Sequence, residues 1–281
     1  MKKILLSLFI ACVTFVVNAQ VKTPQPSPSS KLQQTVGLTD VTVEYARPGM
    51  KGRKIFGDLV PFGKLWRTGA NKNTVVTFDQ DVTIDGKKLK KGSYALYTKP
   101  GASSWEVIFY NDTNNWGTPR KWDDSKVALT TTVPAQKMPM PIETFTISID
   151  DVNNSSAVLG MLWENTYAGV KFEVPTDEAV VKNIASVMSG PSPNDYYAAA
   201  SYYMEEGKDI KKAVEWIDKA IELTKDQPRF WYLRKQSLIH AKAGDKKGAI
   251  KAAKASLMHA EKAGNADYIK MNKDSLKEWG A

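Results

Sequence analysis

The chain has 281 residues, 42% hydrophobic and 25% charged, with 39 Lys and Arg against 30 Asp and Glu for a net charge of +9. That is enough apolar material for one or two cores, and the basic residues are spread over both halves, which argues against a nucleic-acid-binding face. One cysteine and two histidines exclude a disulfide framework, a thiolate metal centre and the His-rich zinc motifs.

The chain opens with Lys2 and Lys3, continues through an apolar run over residues 4–17, and reaches small residues at Val17-Asn18-Ala19. This is the pattern of a signal peptide over 1–19, cleaved after Ala19, so the expectation is an exported protein of the periplasm or cell envelope. The run is shorter than the ~20 residues a spanning helix needs, so no transmembrane segment is expected. Cys12 has Phe9 three positions before it, where lipid-attachment sites carry Leu, and a lipoprotein is disfavoured. Residues 20–31 are rich in Pro and Ser and predict an extended, mobile lead-in.

Residues 32–175 predict a β domain. Short runs over 41–46, 74–78, 82–85, 93–98, 105–110, 127–133, 143–149, 157–163 and 168–174 alternate or carry β-branched and aromatic residues, with Asp85-Gly86 and Lys91-Gly92 as turn signals. Nine strands without helical periodicity between them predict an antiparallel sandwich or barrel. Pro175 closes this part, and residues 176–193 predict a linker helix and a break, with Thr176 as N-cap.

From 194 to 281 the period becomes helical. Tyr196, Ala199, Ala200 and Tyr203 share a face, Gly207 turns the chain, and Ala213, Trp216, Ile217, Ala220 and Leu223 face back. Leu233, Ser237 and His240 precede a second turn at Gly244, followed by Ala249, Ala253, Ser256 and Leu257. This resembles the tetratricopeptide family over residues 194–260, with a polar His240 where that pattern favours an aromatic. Residues 265–280 predict a closing helix. The fold class is therefore α+β, a β-sandwich or barrel followed by an all-α tetratricopeptide-like domain.

Catalytic motifs are scarce. Both histidines, His240 and His259, lie in the helical half, and no HExxH, Walker or dinucleotide loop is present. Asp123-Asp124 and Asp150-Asp151 lack calcium-loop spacing and fit turn caps. No cofactor or metal is expected. The unusual segment runs from Tyr45 to Lys72: seven basic residues against Asp58 alone, with Tyr45, Phe62 and Trp66 and with Gly52, Gly57, Gly63 and Gly69 to allow close backbone approach. Arginines capture carboxylates or phosphates, and aromatic faces stack on sugars. Tyr45, Arg47, Arg53, Trp66, Arg67 and Asn71 are the candidate ligand-binding residues, with Trp116 and Arg120 of a second aromatic-basic loop near Trp122 as additions. The competing reading makes Trp66 a core plug, Arg67 a brace and Asn71 a turn cap.

Four elements, Tyr45/Arg47/Pro48, Gly52/Arg53, Trp66–Asn71 and Gly92/Tyr94, resemble the signature of an exported bacterial family, common in Bacteroidetes, of a domain of unknown function. The likeness covers residues 27–174. It implies that the loop is a family marker, that some members carry tetratricopeptide repeats, and no reaction. Three readings follow. The first is a non-catalytic binding protein: its loop takes a small anionic or carbohydrate-like ligand or envelope component, and its repeats dock a protein partner through Tyr203, Trp216, Trp231 and Tyr232. The second is a hydrolase or isomerase with a carboxylate base and arginines stabilising an anionic intermediate. The third is a structural scaffold with the loop as plug.

Overall fold

The computed structural model describes residues 23–188 and 190–281. The signal-peptide and Cys12 expectations lie outside the described residues. The chain divides into two compact units, one ending at Pro175 and one running from Thr176 to Ala281. Among the described residues no helix is long and apolar enough to cross a membrane.

The first unit is a nine-stranded antiparallel sheet. Its strands are β1 (Ser29–Val36), β2 (Thr39–Ala46), β3 (Thr74–Phe78), β4 (Val82–Ile84), β5 (Lys87–Leu89), β6 (Gly92–Pro100), β7 (Ser104–Tyr110), β8 (Val127–Asp150) and β9 (Ser156–Glu173), in the order β1-β2-β3-β6-β7-β8-β9-β4-β5. The alternation in β2 turns Val41, Val43 and Tyr45 inward and Asp40, Thr42 and Glu44 outward. Asp85 and Gly86 both have positive φ, 51° and 70°, which matches the two-residue hairpin turn joining β4 to β5. The sheet folds over on itself. Phe78 on β3 meets Phe172 on β9 at 5.6 Å although three strands separate them, and Tyr45 on β2 hydrogen-bonds Ile147 on β8. One core, centred on Trp105, Trp163, Phe109 and Phe145, fills the interior.

Three details differ from the sequence reading. The lead-in expected up to residue 31 ends earlier, because β1 begins at Ser29 and the Pro28 carbonyl accepts a 2.8 Å bond from the Arg47 amide. The pairs of short strands expected over 127–149 and over 157–174 are continuous, as β8 and β9. β8 contains Pro134, Pro139 and Pro141, and bulges on either side of Ile142 with the left-handed backbone of Glu164 (φ 52°) let its ladder with β9 resume.

The second unit has six helices: α1 (Thr176–Val187), α2 (Pro193–Glu205), α3 (Ile210–Leu223), α4 (Phe230–Lys242), α5 (Lys246–Lys262) and α6 (Ala266–Glu278). Ser192 and Asp195 form a capping box ahead of α2, and Asp209, Asp245 and Asn265 cap α3, α5 and α6. Buried Ala199, Ala200, Ala213 and Ala220 let α2 and α3 approach closely, and Ala249, Ala252 and Ala253 serve α5 in the same way. Leu223, expected to face the neighbouring helix, is exposed instead.

Candidate functional site

The connection between β2 and β3 carries most of the candidate residues, and it is stitched to the sheet on two sides. Arg47 donates from Nε to the Phe145 carbonyl (3.1 Å) and from Nη2 to Thr146 Oγ1 (2.8 Å), both on β8. Trp66 and Thr98 exchange backbone bonds of 2.7 and 2.9 Å with β6. Two carboxylates that the sequence reading missed complete the anchoring. Glu143 accepts from the Lys51 amide at 2.9 Å, and Glu164 takes the amides of Ile55 and Phe56 at 3.2 and 3.3 Å. Neither glutamate carries a local signal, because each lies about a hundred residues from the amides it binds.

Several candidates are committed to the fold. The Tyr45 hydroxyl accepts from the Ile147 amide at 3.0 Å, and its ring meets Phe145 edge-on. Trp66 stacks on Trp163 at 5.9 Å, with Phe56, Trp105 and Phe145 around it, and donates from Nε1 to the Gly69 carbonyl. Arg53 donates to the carbonyls of Met50 (2.9 Å) and Gly49 (2.7 Å) within its own turn. Gly69 has φ +144°, and a Cβ there would lie 2.9 Å from the Ala46 carbonyl, so the close approach requires glycine.

The remaining candidates border two neighbouring clefts. The larger, about 560 Å³, is lined by Ser27, Lys31, Glu44, Asn71, Asn73 and Trp116 among others. The smaller, about 340 Å³, is lined by Arg53, Trp66, Arg67, Gly69, Asn71 and Trp163 among others. Asn71 and Ser27 border both. Trp116 is 81% exposed, and the loop that carries it is held in place by Asn73, which exchanges bonds of 2.8 and 3.1 Å with the backbone of Asn115. Burial, and then the charge of Asp112, raises the hydroxyl of Tyr97 to about 12, so it stays a donor, here to the Gly117 carbonyl.

Arg67 stands apart from its neighbours. Its Nε is buried with no protein hydrogen-bond partner, and no carboxylate of the described residues pairs with it. Its Nη1 lies 3.7 Å from where a Cβ on Gly117 would sit, beside the loop that carries Trp116. Arg120 is exposed and borders neither cleft. Trp122 stacks on Tyr110 at 4.5 Å and donates to Asp124, so the two tryptophans of that loop serve different surfaces.

In the helical unit, Tyr203 packs edge-on against Trp216 at 4.7 Å, and Trp216 borders a groove of about 480 Å³ with Tyr196, Glu215, Asp218, Lys219 and Glu222. Trp231 is 38% exposed beside Arg229, whereas Tyr232 is 1% exposed and stacked on Tyr197 at 4.3 Å. His240 is held between two carboxylates, with Nδ1 2.8 Å from Asp245 Oδ2 and Nε2 3.0 Å from Asp218 Oδ1. Asp123 caps a short turn through Ser125, and Asp150 accepts from Ser148 and Tyr167. Among the described residues no three metal-ligating side chains cluster.

The family model described as "Protein of unknown function (DUF2911)" matches residues 27–172, a span that includes the lining of both clefts except Gln25. No curated protein and no solved structure matches the chain.

Proposed function

Because the chain belongs to the DUF2911 family, whose description supplies no reaction, we propose from the geometry of the two clefts that the β unit is a non-catalytic binding domain for a small carbohydrate-like or anionic ligand. The observation that carries this reading is Trp116: a large aromatic ring, 81% exposed, bordering a cleft of about 560 Å³ rimmed by amides and hydroxyls. An indole face beside Asn71, Asn73, Ser27 and Ser29 offers stacking and directional hydrogen bonds together, the combination that ring-shaped polar ligands require. The plug reading is favoured for Tyr45, Arg47, Arg53 and Trp66 by their internal bonds, so the loop divides into an anchored part and a receptive rim. An enzymatic reading is weaker, because Glu44 is the only carboxylate lining either cleft and it is ion-paired in the open with Lys31 at 2.9 Å.

The protein is exported after cleavage at Ala19, the four cited motif elements mark the family loop, and the hairpins α2–α3 and α4–α5 act as tetratricopeptide-like repeats that dock a protein partner near Trp216 and Trp231. Of the partner candidates, Tyr203 supports Trp216 and Tyr232 serves internal packing.

The test is a thermal-shift screen of the purified protein against neutral sugars, sugar acids, sugar phosphates and peptidoglycan fragments, wild type beside Trp116→Ala. A ligand at 100 times its Kd stabilises by ~2.7 kcal/mol. The expected result is a shift that Trp116→Ala abolishes while its unliganded melting temperature stays unchanged. A panel that shifts neither protein, or a hit that Trp116→Ala retains in full, sinks the reading.

A further inference from the structure

We infer that the ligand of this site carries an oxyanion, a carboxylate or phosphate, and that Arg67 is the side chain that pairs with it; the inference rests on the binding reading above. Three arginines lie in the loop, and two donate to the protein through Nε and Nη2: Arg47 to Phe145 and Thr146, Arg53 to Met50 and Gly49. The half-buried Arg67 side chain makes no ion pair among the described residues, and its Nε is shut away from solvent with no hydrogen-bond partner. A guanidinium brings five donors and a charge that cannot be removed near neutral pH. Shutting Nε away without a partner costs stability, and an anion arriving from outside would supply the missing acceptor.

The surroundings agree in sign and in place. The two clefts are lined by Lys31, Lys72, Arg53 and Arg67 against Glu44 alone, and Glu44 is already neutralised by Lys31. Gly117, with φ +96°, keeps a side chain out of the space beside Arg67 Nη1, and Trp116 is the preceding residue. An oxyanion held at Arg67 would therefore lie beside the loop that carries Trp116, in the cleft that shares Asn71 and Ser27 with the one Trp116 borders. The planar fork suits bidentate capture, which a lysine does not provide. The ligand class is an acidic sugar or a sugar phosphate rather than a neutral one.

The experiment is calorimetric titration of the full chain with glucose, glucuronate, glucose 6-phosphate and inorganic phosphate, for wild type, Arg67→Met, Arg67→Lys and Trp116→Ala. The expected result is that at least one acidic sugar binds wild type about tenfold or more tighter than glucose. Arg67→Met should bring the two within about twofold, with Arg67→Lys between. Tighter binding of glucuronate selects a carboxylate source and of glucose 6-phosphate a phosphate source, and either supports the pairing. Glucose binding as tightly as its acidic counterparts overturns this inference but leaves the cleft reading standing, provided Trp116→Ala abolishes it. Failure of all four probes sinks both. A second readout needs no ligand: removing a half-buried guanidinium whose Nε has no acceptor should leave Arg67→Met melting at or above wild type. A clear fall in its melting temperature would show Arg67 to be a brace and overturn the inference.

Discussion

The side-chain amide of Asn71 donates 3.1 Å to the carbonyl of Ser27, 44 positions earlier, and this bond is the wall shared by the two clefts. Asn71 also sits in the left-handed region, with φ +58°, where asparagine and glycine are tolerated and alanine is strained. Asn71→Gly should therefore lose only the bond, about 1 kcal/mol, and Asn71→Ala about 1 kcal/mol more. Urea unfolding of the two variants side by side measures the difference; equal midpoints would deny the backbone contribution.

The second prediction concerns the anchor at Glu164. A glutamine there keeps one acceptor oxygen for Ile55 and Phe56 and loses the charge, which should cost about 1–2 kcal/mol. Limited trypsin digestion is the direct check, because Lys51, Arg53 and Lys54 flank the anchored amides. Cleavage there should come earlier than in wild type, and an unchanged digestion pattern would mean that the loop is held by its other contacts.

Two tryptophans bordering neighbouring clefts should respond in opposite ways. Trp66→Ala empties the aromatic cluster with Trp105 and Trp163 and should cost about 3–5 kcal/mol. Trp116→Ala removes an exposed ring and should stay within about 0.5 kcal/mol of wild type. Thermal melts of both variants separate a plug from a receptive surface.

A fourth prediction is a pH dependence in the helical unit. Burial alone would lower the pKa of His240, but hydrogen bonds and charge from Asp218 and Asp245 outweigh it and raise the ring above its ordinary 6.5. A raised folded-state value means that the stabilisation is complete below the unfolded value and is lost as pH rises through the folded one. Melting should therefore decline as pH rises from the ordinary value of 6.5 through the raised folded-state one, and His240→Gln should flatten that slope. A slope that persists in the variant assigns it to other groups.

Much of this fold is legible from residue order. Alternation marks β2, β3 and β7, and Gly207 and Gly244 with the capping residues mark the helical hairpins. The resemblance carried by Trp66–Asn71 pointed to the region where the clefts lie. What stays hidden is non-local. Nothing about Ser27 announces that its carbonyl will form a wall with Asn71, and Glu164 takes its meaning from amides on another part of the chain. Trp116, Arg120 and Trp122 are neighbours in sequence and were grouped on that ground. The backbone turns between them, sending Trp122 onto Tyr110 and leaving Trp116 in the open. Pro139 and Pro141 fall where the β8 ladder with β9 is already interrupted, between Lys137 and Ile142, so the missing amides cost it nothing.

The exposure of Trp116 also gives the molecule an optical handle. Indole emission shifts to the red in water and to the blue in apolar surroundings, so Trp116 emits apart from the enclosed Trp66, Trp105 and Trp163. A collisional quencher in solution reaches it first. An occupant of the cleft would shield that one fluorophore while leaving the interior signal unchanged, which makes the tryptophan on the rim both the surface a ligand covers and the lamp that reports it.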